Sequence, residues 1–231
     1  MPFPAPMCIR SSIVEGIRAT APILVGVVPF GMIYGVVAVS EGIDRLPAIL
    51  MSSIVFAGAS QIAAAELWGQ GAPFAIVVAT GLVINLRFLM YSASLAPHMT
   101  GLSPWQRWLG SYLLTDQAYA VSVIRFQDHT ELHRFGFYFG SSIVLWTTWQ
   151  ASSALGVIVG LQVPASWGLE FSVPLMFLAL LVPSLRAPTP VLVAVVSGVA
   201  AVALHGLPLH LGLMAAATTG LLVGAVRERA A

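Results

Sequence analysis

Long apolar stretches dominate the chain, and they constrain its fold more than any other feature. Crossing the hydrocarbon core of a bilayer takes about 20 apolar residues in a helix. Eight stretches approach or exceed that length, covering residues 20–40, 47–68, 73–96, 106–126, 135–162, 168–185, 190–205 and 207–226. The pattern predicts an all-α, polytopic transmembrane helix bundle of about eight spans. Seven spans is the main alternative, because the last two stretches are barely separated.

Composition agrees with this assignment. Of 231 residues, 58% are hydrophobic and 8% are charged, whereas about 25% are charged in a typical soluble domain. Eight spans leave no room for a separate soluble domain, so residues 1–231 are expected to form one integral membrane domain surrounded by lipid. The net charge of +1, without a basic run, gives no reason to expect a nucleic-acid partner.

The arginines predict the orientation in the membrane. Cytoplasmic loops carry an excess of basic residues, and all ten basic residues here are Arg. With the N-terminus inside, eight spans place seven arginines inside and two outside, with Arg87 within a span. This favours eight spans with both termini cytoplasmic. The inside set is Arg10, Arg18, Arg125, Arg134, Arg186, Arg227 and Arg229, and the outside set is Arg45 and Arg107.

The least lipid-like residues of the first four stretches all fall near the middle of their stretch. Four neighbouring helices would therefore bring them to one depth, which predicts a shared functional site at the bilayer midplane. The central residues are Pro29-Phe30-Gly31, the run Phe56-Ala57-Gly58-Ala59-Ser60-Gln61, Asn85, and Thr115-Asp116-Gln117.

Pro29 predicts a broken first helix. Proline lacks an N–H, and its ring clashes with the carbonyl four residues earlier, that of Val25. Gly31 allows close approach or unusual backbone dihedrals. In a bilayer the freed backbone groups must be satisfied by protein, water or a ligand, so Pro29, Phe30 and Gly31 are candidate ligand-binding residues. The alternative is a plain kink that only shapes packing.

The second stretch carries a small, polar stripe. Gly58, Ser60 and Gln61 could receive the polar groups of a ligand, or the stripe could pack against a neighbouring helix. An adjacent broken helix favours the binding interpretation.

Arg87 and Asp116 are the costliest residues to place in a bilayer, at about 2.5–3.5 kcal/mol for a charge at a helix centre. Their similar depth predicts an ion pair or a shared cavity. Asn85 and Arg87 lie about 200° apart on a regular helix, so one is expected to face the ligand and the other Asp116. Tyr112 and Tyr119 share the face of Asp116 and could hydrogen-bond it. The alternative is a bridge that only fixes helix register.

Glu170 opens the sixth stretch, either as an interfacial residue in water or, if buried, as a proton-coupling candidate beside Asp116. No metal or cofactor is expected. The five histidines lie near span ends or in loops and show no metal-ligand spacing: His98, His129, His133, His205 and His210.

Three small-xxx-small pairs predict close helix packing. They are Gly31 with Gly35, Gly156 with Gly160, and Gly220 with Gly224. No obvious sequence repeat joins the two halves, so an internal repeat would have to be structural.

From about Gly16 to Arg227, the order of these motifs resembles the AzlC/YgaZ/BrnF family, the large subunits of branched-chain amino acid exporters. The matching motifs are Pro29-Phe30-Gly31, the run 56–61, Asn85-Leu86-Arg87, Thr115-Asp116 and Glu170-Phe171-Ser172-Val173-Pro174. The resemblance implies a secondary transporter that exports branched-chain amino acids across the cytoplasmic (inner) membrane, with methionine as a further candidate. It also implies proton coupling and a small hydrophobic AzlD-like partner subunit.

The midplane residues fit such a substrate. Pro29–Gly31, Gln61, Asn85 and Arg87 could supply donors to its carboxylate, and Asp116 could accept from its ammonium group. Three other functions stay open: a channel for polar solutes, an intramembrane hydrolase using Ser60, and a non-transporting assembly subunit. A channel fits a broken helix and a charged pair less well, and no histidine lies at mid-depth to act as a base.

Overall fold

The structure is a computed structural model that describes residues 8–128, 132–160, 185, 188–204, 206 and 211–229. Every regular element in these ranges is helical, which confirms the all-α membrane bundle. The chain divides into two compact units, Met1–Phe177 and Leu178–Ala231. That residues 1–231 form one domain stays a prediction.

The first unit contains eight α-helices among its described residues. Three helical segments there are long and apolar enough to cross a membrane: Ile9–Ser40, Phe74–His98 and Arg134–Val159. The helices are α1 (Ile9–Ser40), α2 (Arg45–Val55), α3 (Gly58–Gly69), α4 (Phe74–Asn85), α5 (Arg87–Leu95), α6 (Pro104–Tyr112), α7 (Asp116–Asp128) and α8 (Arg134–Val159), with a 3-10 turn at Ala96–His98 after α5.

Helices α1 and α8 lie side by side and run in the same direction. The Ser12 hydroxyl accepts a hydrogen bond from the His133 N–H (3.0 Å), and the hydroxyls of Thr20 and Ser141 are 2.7 Å apart. Both contacts join residues 121 positions apart, as expected for parallel helices in constant register. The end of the unit where α1 begins is called the near end below, and the end where α1 stops is the far end.

Glycines bring these two helices into backbone contact. A Cβ atom on Gly35 would overlap the carbonyl of Ser153, and one on Gly156 would overlap the carbonyl of Met32. The close packing predicted for Gly31 with Gly35 and for Gly156 is therefore confirmed. Gly160 instead ends α8, with a positive φ of 51°.

The predicted break in the first helix is wrong. Helix α1 is continuous from Ile9 to Ser40 with Pro22 and Pro29 inside it. Glycines on either side of Pro29, from Gly16 to Gly35, pack directly on α8. This packing fixes the course of α1, so the proline removes a backbone hydrogen bond without opening the helix.

Helices α2 and α3 form a hairpin that enters from the far end and returns to it. Tyr34, near the end of α1, donates to the Ala48 carbonyl at the start of α2 (2.7 Å). Halfway down, Gly58 at the start of α3 lies against the rings of Phe30 and Trp149, and at its end Gly69 lies against Glu41. The hairpin therefore turns round in the middle of the unit.

Helices α6 and α7 form a second hairpin, which enters from the near end. Gly110 of α6 accepts from Tyr138, close to the start of α8 (2.6 Å). The turn between α6 and α7 reaches mid-depth, where Asp116 begins α7. The ring of Phe126, near the end of α7, is 5.9 Å from that of Phe137, again close to the start of α8.

Helices α4 and α5 link the two hairpins by crossing from the far end to the near end. Arg87 meets Asp116 at mid-depth, and His98 after α5 lies 5.6 Å from the ring of Phe126. The first half of the unit is therefore one crossing, α1, followed by one hairpin, α2–α3. The second half, α4–α5 followed by α6–α7, repeats this order with the opposite direction in the membrane. The unit contains an inverted structural repeat that the sequence did not reveal.

The predicted second and fourth spans are therefore not crossings. Residues 47–68 and 106–126 reach mid-depth and turn back, so the described part of the first unit has three crossings instead of five. Each hairpin arm is a helix of roughly half the length that a crossing needs. The predicted sixth span, 168–185, lies outside the described residues.

In the second unit, α9 (Pro188–Ala203) packs against α10 (Leu211–Arg229). A Cβ atom on Gly220 would lie 3.1 Å from Ser197, and one on Gly224 would lie 3.5 Å from Val193. The close packing predicted for this glycine pair is confirmed.

The hairpins make a topology prediction that opposes five consecutive crossings. In a Cys8→Ser background, a cysteine at the exposed position Thr100 should react with an impermeant thiol reagent from the same side as one at His133. A cysteine at Gln70 should react from the side of Asp44. If the unit had five consecutive crossings, Thr100 would lie on the side of Asp44 and Gln70 on the side of His133. Labelling in that pattern would contradict the hairpins.

Candidate functional site

A small cavity lies where the tips of the two hairpins meet, halfway along α1 and α8. Its volume is about 30 Å³, roughly the space that one water molecule occupies in the liquid. The first hairpin contributes residues 56–59 and the second contributes Thr115, Asp116 and Gln117. The remaining walls are mostly apolar: Val27, Phe30, Phe88, Leu145 and Trp149. Phe30 and the segments 56–59 and 115–117 meet here as predicted, whereas Asn85 does not line the cavity.

Both tips are made by short interruptions of helix. Phe56 takes a left-handed conformation with φ 41°, which is strained for a bulky residue and reverses the chain between α2 and α3. In the second hairpin Thr115 precedes α7, and its hydroxyl accepts from the Ala118 N–H (3.3 Å). The tips touch, because the rings of Phe56 and Tyr112 are 6.3 Å apart and Tyr112 donates to the Ser53 carbonyl.

Arg87 and Asp116 form an ion pair beside the cavity. The guanidinium is 3.1 Å from a carboxylate oxygen, with the two side chains 22% and 23% exposed. Asp116 begins α7, where the partial positive charge of the helix start favours a carboxylate. The predicted ion pair of these residues is confirmed. A ligand-facing role for Asn85 stays a prediction.

Tyr91 is a member of the site that the sequence reading missed. Its hydroxyl donates to the other carboxylate oxygen of Asp116 (2.9 Å), and its ring stacks on Tyr119 at 4.4 Å. The expectation that Tyr112 and Tyr119 hydrogen-bond Asp116 is not observed, since Tyr119 donates to Ser94 instead. The spacing in the sequence could have indicated Tyr91, because it follows Arg87 by one helical turn and so shares its face.

Gln61 and Ser60 stabilise the first hairpin. The Gln61 side chain donates to the Ser52 hydroxyl (3.1 Å) and accepts from the Ala57 N–H (3.2 Å). Ser60 donates to the Ala57 carbonyl (2.9 Å). The Gln61–Ser52 bond joins the two arms, and the bonds to Ala57 satisfy backbone groups that the break in the helix frees.

The other candidates divide between the cavity and its surroundings. Phe30 and Gly58 line the cavity, whereas Gly31 packs on Ser152 of α8 and Pro29 is half-buried within α1. Asn85 ends α4, and its buried side-chain oxygen has no hydrogen-bond partner within the described ranges. Glu170 lies outside the described residues.

Trp149 is the largest cavity residue that the sequence reading did not single out. Its ring meets Phe30 edge-on at 5.4 Å and stacks on Tyr34 at 6.1 Å. The side chain is 5% exposed, and its indole N–H has no hydrogen-bond partner in the described part of the chain. A tryptophan inside an apolar stretch is ordinary in a membrane helix, so the sequence carried no signal for it.

The fold and the site define a class of protein. Inverted repeats whose interrupted helices meet around a charged, partly buried centre are typical of membrane transport proteins. The chain belongs to the AzlC family, because the family described as AzlC protein matches residues 22–163.

Curated relatives agree with this membership. The chain is 33% identical over 211 residues to an uncharacterized membrane protein of Archaeoglobus fulgidus, covering 89% of this chain and 91% of the relative. It is 23% identical to the inner membrane protein YgaZ of Escherichia coli, with 90% and 88% covered. It is also 26% identical to the branched-chain amino acid transport protein AzlC of Bacillus subtilis, with 71% and 64% covered. No solved structure matches the chain.

Proposed function

We propose that this protein is a secondary transporter that exports branched-chain amino acids across the cytoplasmic membrane, with methionine as a further substrate. The observation that carries the proposal is the cavity between the hairpin tips, where an aromatic wall faces a carboxylate paired with arginine. The name of the Bacillus subtilis relative supports the substrate class.

The chemistry of the cavity matches an aliphatic amino acid. Asp116 lines the cavity and can accept from the ammonium group of a substrate. Phe30, Phe56 and Phe88 provide apolar surface for a branched side chain. At about 30 Å³ the cavity is far smaller than the roughly 300 Å³ or more of ordinary ligand pockets. Substrate entry therefore requires the tips to separate.

The inverted repeat suggests how they separate. The α2–α3 hairpin reaches the cavity from the far end, and the α6–α7 hairpin reaches it from the near end. Moving one hairpin opens the site toward one side while the other hairpin still closes it. Alternating access of this kind transports a substrate without opening a continuous pore.

The corrected topology supports the proposed orientation, with a cytoplasmic N-terminus. Arg107 belongs to the near end, because the groove that it lines also contains Phe135 and Tyr138 at the start of α8. The near end then has Arg10, Arg18, Arg107, Arg125 and Arg134, and the far end has Arg45. By the positive-inside rule the near end and the N-terminus are cytoplasmic. A cytoplasmic C-terminus stays part of the proposal.

Proton coupling and a partner complete the proposal. Asp116 is the candidate proton carrier, because protonation would release Arg87 and weaken the hold on a substrate ammonium group. Glu170 is a second candidate by its place in the sequence. A small hydrophobic AzlD-like membrane subunit is the proposed partner, on the strength of the family resemblance.

The test is amino-acid efflux from cells fed leucine dipeptides, with and without this chain and its small partner. Cells that produce both should accumulate less leucine and release more, and an uncoupler should stop the release. No difference in efflux would overturn the function. Efflux that an uncoupler leaves unchanged would overturn proton coupling and favour a channel.

A further inference from the structure

The start of α3 forms one wall of the cavity and has no capping side chain. The first N–H groups of any α-helix lack intrahelical partners, and here they belong to residues 58–60. Ala57 occupies the capping position and provides no side-chain hydrogen bond. Gly58 and Ala59 line the cavity, so the helix presents unsatisfied donors and a partial positive charge beside it.

A second group, the ring of Trp149, lies against the same helix start. The Trp149 ring lines the cavity, and its indole N–H has no partner in the part of the chain that the structure describes. A Cβ atom on Gly58 would lie 2.5 Å from Cη2, on the benzo edge of the Trp149 ring, and 2.7 Å from the ring of Phe30. Only glycine at this position lets the indole lie directly on the first turn of α3.

The cavity also places opposite charges at opposite tips. The first hairpin contributes backbone N–H groups and the indole beside it, which are all donors. The second contributes the carboxylate of Asp116, which accepts. A zwitterionic amino acid has a complementary arrangement, with its carboxylate and its ammonium group on one carbon.

We propose that the indole N–H of Trp149 and the start of α3 together bind the carboxylate of the transported substrate. This inference rests on the proposed function and adds to it how the site recognises the free carboxylate of the amino acid. It also adds Trp149 as a substrate-binding residue. Amines that lack the carboxylate meet only the Asp116 side of the site and bind without help from Trp149.

The test is Trp149→Phe, which keeps an aromatic ring and removes the N–H. Uptake of labelled leucine into inside-out vesicles containing the chain and its partner gives KM, which does not depend on how much protein is inserted. The KM for leucine should rise about tenfold, as expected for losing a hydrogen bond to a charged group. Inhibition by 3-methylbutylamine, which is leucine without its carboxylate, should stay as in the wild type.

Trp146→Phe is the matched control on the same helix. Its indole N–H donates to the Tyr112 hydroxyl (2.9 Å), and the residue does not line the cavity. An unchanged KM in Trp149→Phe, or an equal rise in Trp146→Phe, would overturn the inference. So would an equal loss of inhibition by the amine. If wild-type vesicles take up no leucine, the proposed function itself is overturned. If wild-type uptake is normal and the variant is unaffected, only this inference is overturned.

Discussion

Asp116→Asn and Arg87→Ala should each abolish leucine efflux while the protein still inserts into the membrane. Each change leaves the partner charge without its counter-ion at mid-depth, where solvation is poor. Asp116→Asn also removes the proposed acceptor for the substrate ammonium group and the proposed proton carrier. The measurement is efflux from dipeptide-fed cells, with membrane insertion followed by immunoblot of the membrane fraction.

The chain contains a matched control for this pair. Arg125 and Glu15 form another ion pair, between α7 and α1 at the near end, away from the cavity. Arg125→Ala should leave efflux close to wild type, because pairs in contact with water contribute about 1 kcal/mol or less. Normal efflux from either Asp116→Asn or Arg87→Ala would remove this pair from the transport site.

Exchanging the two charges separates a transport role from a structural one. If the bridge only fixes helix register, the double variant Arg87→Asp with Asp116→Arg keeps a bridge and should restore efflux. If Asp116 accepts from the substrate, the exchanged pair presents a cation to an ammonium group, and efflux should stay abolished. Recovery of efflux would favour the structural role.

The sequence located the site because charged and helix-breaking residues are costly in lipid and therefore informative. Arg87 and Asp116 could be paired by depth and opposite charge, whereas the angle between Asn85 and Arg87 indicated only that the two residues face different ways. Tyr91 could have been predicted in the same way, since it lies one helical turn after Arg87. Trp149 was not, because an aromatic residue in an apolar helix has no distinguishing pattern.

The hairpins could not be read from hydropathy. Two apolar half-helices joined at mid-depth have the same length and composition as one crossing, so 47–68 and 106–126 look like spans. The turn between α2 and α3 depends on a left-handed Phe56, a conformation that the residue type does not favour. Pro29 led to the opposite error. Proline predicts a break in the helix, but the packing of α1 on α8 keeps α1 continuous.

The α1–α8 contact carries the other large prediction, which concerns folding and not transport. Gly35→Leu should prevent stable assembly, because a Cβ atom there would overlap backbone atoms of α8, at Ser153 and Val157. Backbone cannot swing aside as a flexible side chain can, so the two helices would have to separate along their length. Overpacking of this kind costs on the order of 3 kcal/mol, and the contact between small residues is what holds helices together in lipid.

Gly81→Leu is the control, because a Cβ atom on Gly81 in α4 meets nothing within 4 Å in the described structure. Replacing this glycine by a better helix former should leave stability unchanged or raise it by about 1 kcal/mol. Thermal unfolding in detergent, followed by size-exclusion chromatography, measures both variants. Gly35→Leu should elute as aggregate or unfold at a much lower temperature than wild type, and Gly81→Leu should not. Equal stability of the two variants would mean that α1 and α8 do not pack through their glycines, and that something other than this contact holds α1 continuous through Pro29.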